Sequence, residues 1–146
     1  MRTAVDIIKA VSGLIETEFG APPATKDIRE GFDRPCFFVE PNQIRHEKAG
    51  DMSDDTTGIR IYYFSARTQT GYLDLLQKQA ELQDLLDAPI QVSEDFYLFP
   101  EDAVFDIQRE DMTLVAEFTV ENIQLMQDTD ESELMGEIEI NLREDE

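Results

Sequence analysis

In Met112-Thr113-Leu114-Val115-Ala116-Glu117-Phe118-Thr119-Val120, every even-numbered position is apolar and three of the four odd-numbered positions are polar. Side chains of a β-strand point alternately to opposite faces, so this pattern predicts a strand with one face in the core. The residues Val104–Gln108 predict a second strand. Arg109-Glu110-Asp111, between the two strands, predicts the turn of an antiparallel hairpin.

Shorter apolar runs predict the other strands of the sheet. Cys36–Val39, closed by Pro41, and Gln43–Lys48 predict two strands, followed by a mobile loop or hairpin tip at residues 49–57, where Gly, Asp, Ser and Thr are typical of turns. The remaining elements are strands at Gly58–Phe64, Ile90–Val92 and Phe96–Phe99 and a bulge or strand bend near Glu121-Asn122, where the apolar phase shifts to Ile123 and Leu125.

Helical periodicity predicts two amphipathic helices, at residues 3–19 and 71–86. Thr3 is a typical N-cap with Asp6 three residues later, and Pro89 follows the end of the second helix. The two helices and the strands predict an α+β fold, with the helices packed on a mainly antiparallel sheet. The expected core comprises Ile8, Val11, Ile15, Phe38, Ile61, Leu75, Leu82, Phe105, Leu114 and Phe118.

The chain of 146 residues is strongly acidic, with a formal net charge of −21. Residues 1–73 carry nine Lys or Arg against eleven Asp or Glu, a net of −2, whereas residues 74–146 carry three against twenty-two, a net of −19. Such a surface repels nucleic acid and anionic membranes and favours basic partners, or an assembly that presents its acidic faces to water. No run approaches the ~18 apolar residues of a membrane span, so no membrane partner is expected.

The sequence contains few groups that build active sites. With one His and one Cys, the only nucleophile–base pair of that kind is Cys36 with His46, and Cys36 lies in an apolar run typical of a buried position. The acidic stretch from Asp128 has Glu133 where a calcium loop requires glycine. We therefore expect no catalytic residues, no metal site and no cofactor.

The length favours a single domain spanning residues 1–146. Residues 128–133 form an acidic tether that is expected to be mobile in an isolated subunit. After it, Ile138, Ile140 and Leu142 alternate with polar residues, which predicts a short amphipathic strand. This strand either lies at a sheet edge of its own subunit or is exchanged with a neighbouring subunit.

Three local strings stand out: Gly31–Val39 reads GFDRPCFFV, Ile61–Phe64 reads IYYF, and Leu134–Asn141 reads LMGEIEIN. The first resembles the "GF-x-RPSFF" entry to the first strand of the tail terminators, a family of short siphophage and prophage proteins. Ile61–Phe64 is similar to its "I-x-YF" strand end, and Leu134–Asn141 to its closing "M-x-x-L-x-x-N" stretch. The chain departs from the family at Ser65, where proline is common, and in the acidic 49–57 loop, where relatives carry arginines.

The resemblance implies a non-enzymatic α+β subunit of the virion tail that is present in the host bacterial cytoplasm during assembly. Such subunits form a homo-oligomeric ring, typically a hexamer, which caps the tail tube, stops its polymerisation and offers a surface to the head–tail connector protein. The expected partners are therefore further copies of the chain, the tail tube protein and the connector. DNA would pass through the ring without sequence-specific binding.

We expect the near-neutral half to make the subunit contacts, because pressing like-charged surfaces together is costly, and the acidic half to line the channel or rim. The candidate subunit or partner contacts are Phe37, Arg45, Arg60, Tyr62, Ile138, Ile140 and Leu142. The candidate channel or rim acids are Glu94, Asp95, Glu101 and Asp102.

Three alternatives remain open at this stage. The first is another head–tail connector or tail-completion protein, which shares the same assembly logic. The second is an acidic decoy that mimics DNA and binds a basic host protein, as the −19 half would permit. The third is a small enzyme, which lacks a recognisable constellation of catalytic residues.

Overall fold

The computed structural model describes residues 3–20, 22–23 and 34–125, which form two helices and six strands. In chain order these elements are α1 (Ala4–Phe19), β1 (Cys36–Ala49), β2 (Met52–Phe64), α2 (Gly71–Leu86), β3 (Ile90–Ser93), β4 (Phe96–Leu98), β5 (Glu101–Gln108) and β6 (Thr113–Leu125). The α+β class and the two predicted helices are confirmed.

Four strands form one sheet in the order β1-β2-β6-β5, while β3 and β4 form a separate antiparallel pair. β5 and β6 are antiparallel, with Ile107 opposite Leu114 in the predicted hairpin. β2 and β6 are also antiparallel. The Ser65 N–H, just beyond the end of β2, donates to the Met112 carbonyl before the start of β6, while Arg60 meets Glu117 further along the pair.

The core lies on one face of this sheet, where alternate residues of the central strands meet the apolar sides of the helices. The two central strands contribute Ile59, Ile61, Tyr63, Leu114, Ala116, Phe118 and Val120, and the helices contribute Ile7, Val11, Ile15, Leu75, Leu82 and Leu86. Most of the predicted core is therefore confirmed. Ile8 and Phe105 are partly buried against it. Phe38 was wrongly placed, because its ring lies beside Tyr62 on the other face of β2.

Local signals at both ends of α1 explain its boundaries. The Thr3 N–H donates to the Asp6 carboxylate at 2.9 Å, and Gly20 ends the helix in a left-handed conformation, with φ of 83°. The Gly20 N–H donates to the Glu16 carbonyl at 2.9 Å. Neither α1 nor α2 is both long enough and apolar enough to cross a bilayer, a finding that applies to the described residues.

Pro41 does not end a strand, as the sequence suggested, because β1 runs through it from Cys36 to Ala49. β1 is an outer strand of the sheet, and an outer strand tolerates proline where the missing N–H would face away from its neighbour. The two strands predicted on either side of Pro41 are therefore one.

The stretch at residues 49–57 contains a hairpin tip, one of the two readings of the sequence, but the tip is much shorter than predicted. Only Gly50 and Asp51 form the turn, and Gly50 takes the left-handed φ of 65° that such a tight connection requires. β2 begins at Met52, and within it Ser53 and Thr57 are 1% and 3% exposed. The small polar residues that suggested a loop are tolerated in β2 because burial in the tertiary structure outweighs their intrinsic preference for turns.

Burial along β6 keeps its alternation as far as Asn122, which is 3% exposed, and Ile123 is 56% exposed. The buried face therefore does not shift to Ile123, while the bulge or bend predicted at residues 121–122 stays a prediction. The β5–β6 ladder has an irregularity between Glu101 and Val104, where Asp102 has a positive φ of 57°. A residue added to one strand changes the register there without changing the buried face of β6.

Contacts divide the chain into two units. The first comprises the residues up to Arg45 together with Thr56–Asn122, and it contains both helices and most of the sheet. The second comprises His46–Asp55 and the chain from Ile123 onward. Within it, His46 Nδ1 contacts Asp55 Oδ1 across the β1–β2 hairpin. The single-domain assignment stays a prediction, and the predicted tether and C-terminal strand lie outside the described residues.

A polar cluster attaches α2 to the end of β2. The carboxylate of Asp74 accepts hydrogen bonds from the Tyr63 hydroxyl, from Ser65 Oγ at 3.0 Å and from Lys78 Nζ at 3.0 Å. Partial burial raises the pKa of Asp74, but the three donors outweigh it and hold that pKa below its ordinary value of 3.8. Burial and the neighbouring Asp74 raise the pKa of Tyr63, which keeps its hydroxyl a donor.

Replacing Asp74 with Asn should lower the free energy of unfolding at neutral pH by about 1 kcal/mol, because charge-assisted bonds are lost at a partly exposed site. Since the folded-state pKa lies below the unfolded value, the carboxylate stabilises the fold above the unfolded pKa. This contribution is lost as the pH falls through the lowered folded pKa. Urea unfolding of both proteins at neutral and acidic pH measures the difference.

The matched control is Asp84→Asn, because Asp84 is an exposed carboxylate on the same helix. It should change stability little at either pH. An Asp74→Asn difference that stays constant at all pH values would contradict the role assigned to the charge.

Candidate functional site

The face of the sheet opposite the core is organised around Arg60. Its Nε donates to Glu117 on β6 at 2.7 Å, and a terminal nitrogen lies 2.7 Å from the same carboxylate. That nitrogen also donates to Asn42 Oδ1 on β1 at 2.9 Å, so one guanidinium connects three adjacent strands. We call this surface the open face and define it by Phe38, Glu40, Asn42, Arg60, Tyr62, Phe64, Val104, Val115 and Glu117.

The same cluster fixes the Tyr62 hydroxyl. It accepts a hydrogen bond from Arg60 at 3.3 Å and donates one to Glu40 Oε2 at 3.0 Å. The hydrogen bond to Tyr62, together with Glu117, raises the pKa of Arg60 against the effect of burial. Burial, with Glu40 nearby, raises the pKa of Tyr62. Arg60 is therefore charged and Tyr62 neutral at physiological pH.

The charge of Arg60 is largely compensated within the subunit. Besides the contact with Glu117, its guanidinium lies 3.8 Å from the Glu40 carboxylate. An arginine whose donors already meet two carboxylates, an amide and a phenol has little capacity left for a phosphate. The cluster therefore shapes a surface rather than forming an anion-binding site.

Aromatic rings extend the open face along the end of β2. The Phe38 and Tyr62 ring centroids are 6.0 Å apart, and Tyr62 and Phe64 stack at 5.8 Å with an interplanar angle of 5°. Arg34 lies over the Phe64 ring at 5.5 Å and donates to the Ser65 and Met112 carbonyls. Phe64 is 6% exposed and lies beneath this strip, while the half-buried Phe38 and Tyr62 supply accessible aromatic surface of the kind enriched in protein interfaces.

Beside the strip lies a recess of about 530 Å³, lined by residues that include Arg60, Tyr62, Val104 and Val115. Val104 is 62% exposed, which is unusual for a valine on a strand within a domain. A second recess of about 250 Å³ adjoins it, and Arg45 contributes to its wall. Hollows that combine apolar side chains with fixed polar groups occur at contact surfaces for other proteins.

The structure brings together Arg60 and Tyr62, as the sequence analysis grouped them, and places Arg45 at the neighbouring recess. Phe37 requires correction as a contact residue, because it is 6% exposed, and its ring lies 4.7 Å from those of both Phe19 and Tyr63 in the core. Phe38, one residue later, takes its place on the open face. The other three candidates, Ile138, Ile140 and Leu142, lie outside the described residues.

The four candidate channel acids are all exposed. Glu94 and Asp95 lie in the turn between β3 and β4, and Glu101 and Asp102 begin β5. The near-neutral and acidic halves of the sequence do not form separate surfaces in the sheet, since β6 of the acidic half lies beside β2 of the near-neutral half. Attraction between Arg60 and Glu117 is one consequence of this arrangement.

Cys36 and His46 lie ten residues apart on the same strand, a separation of roughly 33 Å at the rise of an extended strand. They are too far apart to act as nucleophile and base. Among the described residues, no group of three or more His, Cys, Asp or Glu side chains is arranged to hold a metal ion.

Sequence reasoning missed Phe38, Val104 and Glu117 as parts of the site. Glu117 is a charged residue at an odd position of the alternating stretch, and Arg60 interrupts the apolar alternation of β2 in the same way. Two opposite charges on the outward face of two long strands are a signal for pairing. The signal could be used only once those strands were known to be neighbours.

Comparison with known proteins gives one family match. Residues 6–133 match the model of a family described as phage tail terminator protein. A search of curated proteins finds no match. The matched range includes every described element except the first residues of α1.

Replacing either Phe37 or Phe38 with Ala tests which of the two rings lies in the core and which lies on the open face. Phe37→Ala should lower the free energy of unfolding by about 3–5 kcal/mol, because it leaves a cavity among packed aromatic rings. Phe38→Ala, its neighbour and matched control, should cost about 1 kcal/mol or less. Urea unfolding of the two variants measures the difference, and equal losses would contradict the two assigned faces.

Proposed function

This chain belongs to the phage tail terminator family, and on that premise we propose that it forms a homo-oligomeric ring, a hexamer, that caps the tail tube. The ring stops polymerisation of the tube and presents a surface to the head–tail connector protein. The family implies contacts with tail tube and head proteins and a place in the virion tail. Beyond family membership, we propose three things: that the chain forms a ring, that the ring caps the tube, and that it joins the tail to the head.

The observation that carries the proposal is the open face. It combines an aromatic strip, the exposed Val104 and a cluster around Arg60 whose charges are compensated within the subunit. Burying compensated charges costs less than burying isolated ones, since each already has its partner. Such a surface suits contact with a neighbouring subunit, and we assign it that role.

The exposed acids support a second role, in the channel of the ring, that is separate from the subunit contact. Glu94, Asp95, Glu101 and Asp102 lie in turns or at a strand start, where side chains meet solvent. Carboxylates repel the phosphates of DNA, so a channel that carries them would let DNA slide without adhering. We assign these four residues to the lumen or rim.

The function is tested by mixing purified protein with its tail tube protein and examining the tubes by negative-stain microscopy. We expect rings at one end of each tube and no further growth from capped ends. A monomer that ignores tube ends but binds a basic protein with steep salt dependence would overturn the proposal and favour the acidic decoy.

Val104→Asp should prevent ring formation. The variant removes an exposed apolar side chain from the open face and places a second carboxylate opposite Glu117, and ring yield should fall about tenfold or more while the subunit stays folded. Val5→Asp is the matched control, since Val5 is 60% exposed on α1 against 62% for Val104. Mass photometry counts rings, and urea unfolding checks the subunit. If both variants assemble as well as wild type, the open face is not the subunit contact.

Replacing Glu94, Asp95, Glu101 and Asp102 together with Lys should leave ring formation intact and make the rings retain DNA, because the channel changes from repelling to attracting phosphate. The matched control changes each to its amide, which removes the charge without adding an attractive one. Mass photometry and a DNA-retention assay on the same samples decide the outcome. Lysine rings that release DNA like wild type would place these carboxylates outside the channel.

A further inference from the structure

The outer edge of β1 is available for another strand. Among the described residues, β1 has a neighbouring strand on one side alone, and all nine residues from Pro41 to Ala49 are exposed. The N–H and C=O groups along an outer edge can pair with a strand from another chain. Pro41 has no N–H to offer, so continuous pairing is confined to residues 42–49.

The other outer strand, β5, is poorly suited to such pairing. Its ladder with β6 is interrupted between Glu101 and Val104, where Asp102 has a positive φ. Bulges and charged side chains are the features that protect natural sheet edges from unwanted partners, and β5 has both, with acids at Glu101, Asp102 and Asp106. On the edge of β1, the apolar side chain of Ile44 is 56% exposed.

Charge indicates what kind of strand would bind there. Residues 41–49 carry Arg45 and Lys48 against Glu47, a net of +1 in a chain of −21. Residues 136–146 carry five carboxylates against Arg143, a net of −4. Residues 137–142 also alternate acidic or polar with apolar side chains, the pattern of a strand that adds to a sheet.

We propose that residues 137–142 of one subunit bind as an added strand along residues 42–49 of β1 in the next subunit. The C-terminal segment lies outside the described residues, and the proposal rests on the ring put forward above. A ring needs a contact between two different surfaces, repeated until it closes. A β1 edge and an acidic strand are two such surfaces, and each subunit supplies one of each.

The chain is long enough for this exchange. β6 ends at Leu125, so residues 126–136 connect it to the proposed strand. Eleven residues in extended conformation span up to roughly 36 Å. That distance exceeds several strand spacings of ~4.8 Å, so the strand can reach a neighbouring subunit.

The test places a photoreactive phenylalanine analogue at position 44 of the full chain, in place of Ile44. Chains labelled with heavy and light nitrogen are mixed while dissociated, allowed to assemble and irradiated. Tandem mass spectrometry then identifies the linked residues and the isotope of each partner. The matched control carries the analogue in place of Val5, which lies on α1 outside the open face and is 60% exposed against 56% for Ile44.

We expect the probe at position 44 to link to residues 137–142, with about half of the links joining heavy to light chains, as random mixing gives. The control should not link to that segment. If links to residues 137–142 occurred in single-isotope pairs alone, with no heavy–light links, pairing would lie inside one subunit and the proposal would be overturned. Links elsewhere, or none to this segment, would overturn it as well.

The ring count from the same samples separates this proposal from the one on which it rests. Rings without the mixed-isotope link reject strand exchange and leave the capping function standing. Absence of rings with tube protein present rejects the ring itself, and with it the exchange.

Ile140→Pro provides an independent readout, because proline removes a ladder hydrogen bond from the proposed strand. Ring yield should fall about tenfold relative to Ile140→Val, the matched control, while urea unfolding of the isolated subunit stays the same. Equal ring yields for the two variants would overturn the proposal. If Ile140→Pro weakens the subunit itself, the cross-link at position 44 decides.

Discussion

Pairing between β2 and β6 determines both faces of the sheet. The alternation of each strand places Ile61 and Phe118 in the core, and the same alternation leaves Arg60 and Glu117 on the opposite face. A shift of one residue in this pairing would exchange the two faces. The apolar face fixes the register because burial stabilises it, and the Arg60–Glu117 contact is positioned as a consequence.

The far end of this strand pair is fixed by polar contacts. Arg34 donates to the carbonyls of Ser65 and Met112, which bracket the end of β2 and the start of β6. Ser65 also donates to Asp74 on α2, so one residue takes part in holding both the strand end and the helix. Buried polar groups are stabilising when each finds a partner, and here the partners come from elements far apart in sequence.

Helix positions could be read from the sequence because their signals are local. The Thr3 and Gly20 ends of α1 involve residues within one turn of the helix, so no knowledge of the fold is needed to recognise them. The β1–β2 hairpin was different. Its polar residues Ser53 and Thr57 are buried through tertiary contacts, and tertiary context overrides the turn propensity of such residues.

The same distinction holds for the candidate site. Arg60 and Tyr62 stood out because charge and aromaticity on a strand can be read along one element. Phe37 and Phe38 could not be assigned to opposite faces from a run of four apolar residues, since such a run has no alternation. The role of Glu117 depends on its contact with Arg60, 57 positions away, and a periodic pattern cannot reveal such a contact.

The acidic charge acts differently at the level of assembly than within the subunit. Inside the open face, Glu117 and Glu40 are compensated by Arg60, so they need not oppose the approach of a neighbour. Carboxylates at exposed turns would oppose it, and the proposed ring has two places where they do no harm, the lumen and the rim. A subunit of this charge could therefore assemble provided that its carboxylates are divided between charge-compensated positions at contacts and exposed positions facing water. The few basic residues then carry most of the specificity, because in an excess of acid each Lys or Arg at a contact selects which acidic surface may approach it.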